Sequence, residues 1–191
     1  MPDTLILPAF RFEVKLLRSP DIIAGSQQPP GGGSGYDPPA GGQWLGGTGA
    51  ADWQGAFQEC SGLEIEMDIQ EYQEGGRNNG TVRRVGRAKY QPIVLKRGMF
   101  YAKDGEARAN VELWHWMQRI VNGERPVARY DGVISVMSAD GTVRASWMFD
   151  RGLPAKIRGP ELNGKSGELA IEELSIAHEG LRLLPAEEPP A

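Results

Sequence analysis

The sequence predicts a mainly β protein, an antiparallel barrel or sandwich of about six or seven strands with one flanking helix. Three observations lead there. Apolar and polar residues alternate with period two in several stretches, "AFRFEVKLL" and "GLEIEMDIQEY" most clearly. Tight-turn signals rich in glycine separate those stretches. Only "NVELWHWMQRIVNG" carries a helical stripe. At 191 residues the chain is long enough for one domain with a real core and short for two. Residues 1–184 are read as that domain, with a loop inserted at 24–55 and a frayed tail at 185–191.

In chain order, "AFRFEVKLL" sets Phe10, Phe12, Val14 and Leu16 on one face and Arg11, Glu13 and Lys15 on the other, a half-buried strand. Ala24 to Gly55 follows, with eleven glycines and four prolines. Such a segment buries too little to offset its ordering entropy, which predicts a long flexible loop. Tyr36, Trp44 and Trp53 sit inside it, and a pure spacer needs no aromatics. Trp44 and Trp53 are therefore candidates for docking on this subunit or on a neighbour.

The strand "GLEIEMDIQEY", Gly62 to Tyr72, puts Leu63, Ile65, Met67 and Ile69 on one side and Glu64, Glu66, Asp68 and Gln70 on the other. Carboxylates at neighbouring positions on one side repel, so that face needs water, salt or cationic partners. Another strand is expected in "KYQPIVLKRG" around Ile93, Val94 and Leu95. In the helix, Leu113, Trp114, Met117, Ile120 and Val121 gather in one stripe with Trp116 at its edge, while Glu112, His115, Gln118 and Arg119 face away. Asn110 is placed to cap its start and Gly123 its end. Val133 to Met137 and Val143 to Phe149 flank "SADGT", whose Asp140-Gly141 predicts a hairpin. In "GELAIEELSIAHEGL", Leu169 and Ile171, then Leu174 and Ile176, alternate as a strand, with a slip at Glu172-Glu173 that a bulge explains.

Several function classes fall away. No apolar run approaches the length of a membrane span or a signal peptide core, which points to a soluble protein made and folded in the cytosol with no membrane anchor. One cysteine, Cys60, excludes an internal disulfide and any multi-cysteine metal site. His115 and His178 fit no ligand motif, and His178 beside Glu179 would point to opposite faces of a strand. Cys60 lacks a nucleophile signature, and "GGRNNG" lacks the strand-to-helix context of a phosphate loop. No enzyme, no metal and no cofactor is expected.

The charges are more informative. "RNNGTVRRVGRAKY" carries Arg77, Arg83, Arg84, Arg87 and Lys89 with no acid among them, directly after Glu64, Glu66, Asp68, Glu71 and Glu74. Three readings follow. The two stretches are solvated faces of one subunit, which contribute little, or they pair as a hairpin. In the third, the basic loop of one copy meets the acidic strand of the next, with Arg77, Arg83, Arg84, Arg87, Lys89, Glu71 and Glu74 at the contact. A head-to-tail contact of that kind closes a ring or propagates a filament. Nucleic acid is a poor fit, because only Tyr90 is near as a stacking aromatic and the adjacent acids repel a polyanion.

Taken in order, "FQECSGLEIEMDIQEYQEGG", "YQPIVLKRGM", "LWHWMQRIVNG", "WMFDRGLPAKIRGPELNG" and "LAIEELSIAHEGL" resemble segments of the tail tube family of contractile phage tails and extracellular contractile injection systems. The resemblance runs from Phe10 to about Leu181. It implies an antiparallel barrel-like fold, similar to the hemolysin-coregulated protein of type VI secretion, with six copies in a ring. Rings would stack into a rigid tube inside a contractile sheath, assembled into a phage tail or phage-tail-like particle. Implied partners are further copies of itself, the sheath protein, baseplate or tube-initiator proteins and effector cargo in the lumen, with no specific nucleic-acid sequence. The face of Glu64, Glu66, Asp68 and Gln70 would then line the lumen or meet a neighbour. The segment Gln73 to Lys89 would be an extended loop touching adjacent subunits. "LKRG" and "LPAKIRGP" would shape turns and subunit packing, an intrasubunit role for Lys96, Arg97 and Lys156 being equally open. The loop at 24–55 departs from the family and raises the alternative of a specialised tube initiator or minor tube paralogue. A monomeric β-sandwich binding module gripping a ligand through Trp44 and Trp53 is the rival from another class.

Overall fold

A computed structural model describes residues 11–19, 57–73, 75–76, 80–99, 111–163, 165 and 169–184. Phe10, the loop at 24–55 with Tyr36, Trp44 and Trp53, Glu74, Arg77, Asn110 and the tail at 185–191 lie outside them. Among the described residues the strands are β1 (Phe12–Arg18), β2 (Phe57–Ser61), β3 (Ile65–Tyr72), β4 (Val82–Tyr90), β5 (Ile93–Gly98), β6 (Tyr130–Met137), β7 (Val143–Arg158), β8 (Ile171–Ala177) and β9 (Gly180–Leu184). Among the same described residues a helix, α1 (Glu112–Val121), stands between β5 and β6. All pairings are antiparallel.

The main sheet runs in the order β1-β6-β7-β8-β5-β2, with β9 also on β7. Strand β7 organises it, because its first part pairs with β6 and β9 and its last part with β8. Between those parts Arg151 takes a left-handed φ of 54°. A non-glycine residue pays for that conformation with local strain unless its surroundings hold it. Here the Arg151 N–H donates to Asp131 Oδ1 at 2.7 Å and its Nε donates to Glu179 Oε2 at 2.9 Å. Arg129 Nη1 donates to the Arg151 carbonyl oxygen at 3.1 Å and also reaches Glu179. The corner lets one strand serve two sheets.

The core lies between those sheets. Val14, Leu16, Tyr130, Ile134, Phe149 and Leu181 come from the β1-β6-β7-β9 side, and Phe57, Ile93, Leu95, Leu174 and Ile176 from the β2-β5-β8 side. Phe149 is fully buried, and Gly132 leaves room for it: a Cβ there would lie 2.1 Å from the phenyl ring. The predicted hairpin closes through Ser138–Thr142, where Asp140 Oδ1 accepts from the Thr142 N–H at 3.0 Å and Gly141 has φ 86°.

Four expectations are corrected here. Glu13, expected on a solvated face, is buried and ion-paired with Lys15 at 2.8 Å, and Leu17 and Met148 are buried too. "LKRG" and "LPAKIR" are strand rather than turn, lying within β5 and β7. No slip occurs at Glu172-Glu173: β8 keeps one register against β5, and the irregularity falls in β7 between Pro154 and Lys156. Glu172 therefore points into the core at 1% exposure, opposite Arg97 at 3%. The Arg97 Nε donates to Glu172 Oε1, and Trp114 Nε1 donates to Glu172 Oε2 at 2.8 Å, which fastens the helix to the sheet.

The helix itself is rotated from the expected stripe. Leu113 and Trp116 are buried, Trp114, Met117 and Ile120 are half-buried, and Val121 is 76% exposed. Trp116 takes the centre because its Nε1 finds the Ala128 carbonyl oxygen at 2.9 Å and its ring meets Tyr130 edge-on at 4.7 Å. A large aromatic with a satisfied N–H outcompetes a valine at the fraying end. The helix stops at Asn122, followed by Gly123 with φ 82°.

Candidate subunit interface

Strands β3 and β4 form a two-stranded sheet of their own. The basic stretch from Val82, expected as part of an extended loop, is thus a strand paired with the acidic one. Complementary charges in register explain it: Glu66 stands opposite Lys89, Gln70 opposite Arg84 and Glu71 opposite Arg83. Arg83 Nε donates to Glu71 Oε1 at 3.2 Å, and the Arg84 guanidinium lies 5.1 Å from the centre of the Tyr72 ring. Both members of the Arg83–Glu71 pair are exposed, so the pair is worth about 0–1 kcal/mol and specifies register more than stability.

Between Met67 and Ile69 the register slips, with Asp68 facing both Gly86 and Arg87. Gly86 is needed there, since a Cβ would lie 2.8 Å from the Asp68 carbonyl oxygen. Glu64 lies just before the start of β3 at Ile65, in the connection to β2. Glu66, Asp68, Gln70 and Tyr72 share one side of the ribbon with Lys89, Arg84 and Val82.

The other side is the informative one. Ile65, Met67 and Ile69 stand opposite Tyr90, Ala88 and Val85, giving one continuous apolar face. It is bare: Ile65 and Ile69 are each 51% exposed, Met67 42% and Val85 69%. A two-stranded ribbon is marginal by itself in water and needs a further layer. Both of its outer strand edges also lack a ladder partner among the described residues.

The remaining sequence candidates are structural in this chain. The His178 ring sits against Tyr90 and Phe149 and the Glu179 carboxylate is held by Arg129 and Arg151, so the two do not converge. His115 is exposed on the helix. Burial, then the neighbouring Glu59, pushes the Cys60 thiol up to about 11, an unreactive state. Among the described residues no three His, Cys, Asp or Glu side chains gather as metal ligands. Nor is any described helix long and apolar enough to cross a membrane. Lys96, expected at a turn, pairs with Glu59 at 2.8 Å, and Lys156 lies 3.9 Å from Glu173. Sequence reading missed Glu172 as a core residue. The available signal was its place in strict alternation with Leu174 and Ile176.

The exposed β3–β4 ribbon belongs to a fold that comparison with known proteins identifies. The family model for the T4-like virus tail tube protein gp19 matches residues 8–182. The chain belongs to that tail tube family. Its members are structural proteins and not enzymes. The fold is shared with a chain of the anti-feeding prophage baseplate, six-fold symmetrised, at TM-score 0.66 and 18% identity, covering 97% of this chain and 100% of that one. A chain of the anti-feeding prophage tube-terminating cap gives TM-score 0.64 and 22% identity, with 97% and 95% covered. A chain of the PVC extracellular contractile injection system, sheath-tube complex in the extended state, gives 0.62 and 20%, with 93% and 90% covered. No curated protein matches the chain.

Proposed function

We propose that this tail tube protein is an inner-tube subunit that closes into hexameric rings, which stack into a rigid conduit inside a contractile sheath. The observation that carries the reading is the bare apolar face of β3–β4. Burying the exposed half of one such aliphatic side chain contributes roughly 1 kcal/mol. Several per subunit, multiplied around a ring, favour association with further copies. In this reading the apolar face packs on neighbouring subunits and the side of Glu66, Asp68, Gln70, Arg84 and Lys89 faces the water-filled lumen. Glu71, Arg83 and Arg87 lie toward the subunit contact, and Glu74 and Arg77, which the sequence assigns to the same contact, lie outside the described residues. Sheath and baseplate proteins are the expected partners, and a cargo in the lumen is consistent with the same geometry. The likeness to chains of a sheath-tube complex and of a six-fold symmetrised baseplate supports this assembly.

The test is negative-stain electron microscopy with light scattering on the purified chain, beside an Ile69→Glu variant. Rings or stacked tubes about 8 to 10 nm wide are expected for six domains of this size around a pore. Ile69→Glu should abolish them while leaving the thermal midpoint nearly unchanged, because Ile69 is outside the main core. Rings that never stack would favour a specialised initiator at the baseplate. A chain that stays monomeric at high concentration overturns the reading.

A further inference from the structure

The β3–β4 ribbon is the outward continuation of the β2–β5 ladder. Ser61 pairs with Val94, and four residues further along each strand Ile65 pairs with Tyr90, so the register is unbroken. The ladder itself is interrupted between them. Pro92 has no N–H to donate, and Gly62 has φ 88°. The two strands touch at this neck: a Cβ on Gly62 would lie 2.0 Å from the Pro92 carbonyl oxygen. Outside the ladders, the Gln91 N–H links the neck's two backbones at a long 3.4 Å from the Glu64 carbonyl oxygen. A neck so weakly bonded would let the ribbon swing.

His178 occupies the point where the third strand would have held it. Extending the β5–β8 register, in which Ile93 pairs with Ile176, sets His178 opposite Gln91. There the ring replaces the missing ladder. Nε2 is 3.0 Å from the Gln91 carbonyl oxygen, and Nδ1 is 2.8 Å from that of Gly180. The ring also packs between Tyr90, the last residue of β4, at 5.4 Å and the buried Phe149 at 5.6 Å. With its one N–H on Nε2 the ring donates to Gln91 and ties the root of the ribbon to the core it packs on, beside the β8–β9 turn, whose Glu179 N–H donates to the Asp150 carbonyl oxygen at 3.0 Å.

We propose that His178 is a positioning residue that clamps the Gly62–Pro92 neck and sets the direction in which the β3–β4 ribbon leaves the main sheet. The consequence is that the ribbon is pre-oriented within a single chain, which lowers the ordering cost of any contact it makes.

Spin labels at Gln70→Cys on the ribbon and Thr142→Cys on the β6–β7 turn, in a Cys60→Ser background, read that direction. Labelled chain is diluted into excess unlabelled chain so that only distances within one chain are measured, whether or not the protein assembles. The background should give one narrow distance distribution. His178→Phe keeps the ring stack and deletes both nitrogens, and it should broaden the distribution. Amide exchange in peptides spanning 62–65 and 90–93 should quicken by roughly five- to tenfold, the loss of about one hydrogen bond, while β1 and β6 stay unchanged. His178→Gln, which keeps one donor toward Gln91, should recover part of the narrow distribution. Gly62→Ala, which forces the neck apart, should shift the mean distance. A His178→Phe distribution that superimposes on the background overturns the proposal. If that variant does not fold, a His178→Leu distribution that superimposes on the background overturns it instead.

Discussion

Two halves of one ladder make an instructive pair. β2–β5 and β3–β4 share a register and both alternate apolar with polar residues, yet Ile93 and Leu95 are sealed in the core while Ile65 and Ile69 stand half in water. The difference is what lies on top. β5 has β8 at its edge and the opposing sheet over its face, whereas β3, among the described residues, pairs with β4 alone. Alternation therefore reports that a face wants cover and does not report who supplies it. The electrostatics divide in the same way. Arg97–Glu172 is buried under the helix, and Arg83–Glu71 is exposed in the ribbon.

The sharpest break in this comparison comes from the two ion pairs. Glu172→Ala deletes the carboxylate from a buried guanidinium and should cost about 3–5 kcal/mol in urea unfolding. Glu71→Ala should cost about 0–1 kcal/mol in the same measurement. The second contrast uses isoleucines. Ile134→Ala, in the core, should lose about 2–5 kcal/mol, and Ile69→Ala much less when measured on unassembled chain. Equal losses would mean that the ribbon is covered within its own chain. Third, Trp114→Phe keeps the ring and removes the donor to Glu172. It should lose about 1.5–3 kcal/mol and loosen α1 in amide exchange without loosening β1. The smallest effect concerns pH. The hydroxyl of Ser138, then the Thr142 backbone N–H, holds the Asp140 carboxyl down to about 2 from its ordinary 3.8. A depressed carboxylate contributes above its unfolded value and loses that contribution as pH falls toward 2. Carbon-detected NMR should find Asp140 titrating near 2, and Ser138→Ala should raise it toward the ordinary range.

Much of the architecture was legible. The β6–β7 hairpin follows from Asp140-Gly141, β1 from its alternation, and the helix from its single stripe. β4 was less so, because arginines and glycines have weak strand propensity and the stretch reads as a loop until Glu66 and Glu71 are set opposite it. Glu172 was misassigned for a related reason. A carboxylate at a core position is tolerable only with a partner, and Arg97 is 75 residues away in the chain. Val121 was placed on the buried stripe by angle alone, and the bond from Trp116 to Ala128 turned the helix away from it. Of the candidate interface, the complementary charges and their pairing as a hairpin were both readable, but the choice of that reading over solvated faces or a contact between copies was not.

By itself, then, the sequence determined the β class, the single helix, the turn chemistry and the kinship to tail tube proteins, since these rest on local periodicity and on segments in order. Tertiary structure alone decided that the acidic and basic stretches satisfy each other, that Glu172 and Arg97 share the core, and that Arg151 bends β7 between two sheets. It also decided that, among the described residues, one apolar face stands exposed. Those outcomes depend on which distant residues meet, and the free energy of a buried charge or an exposed isoleucine is set by that meeting and not by its neighbours in the chain.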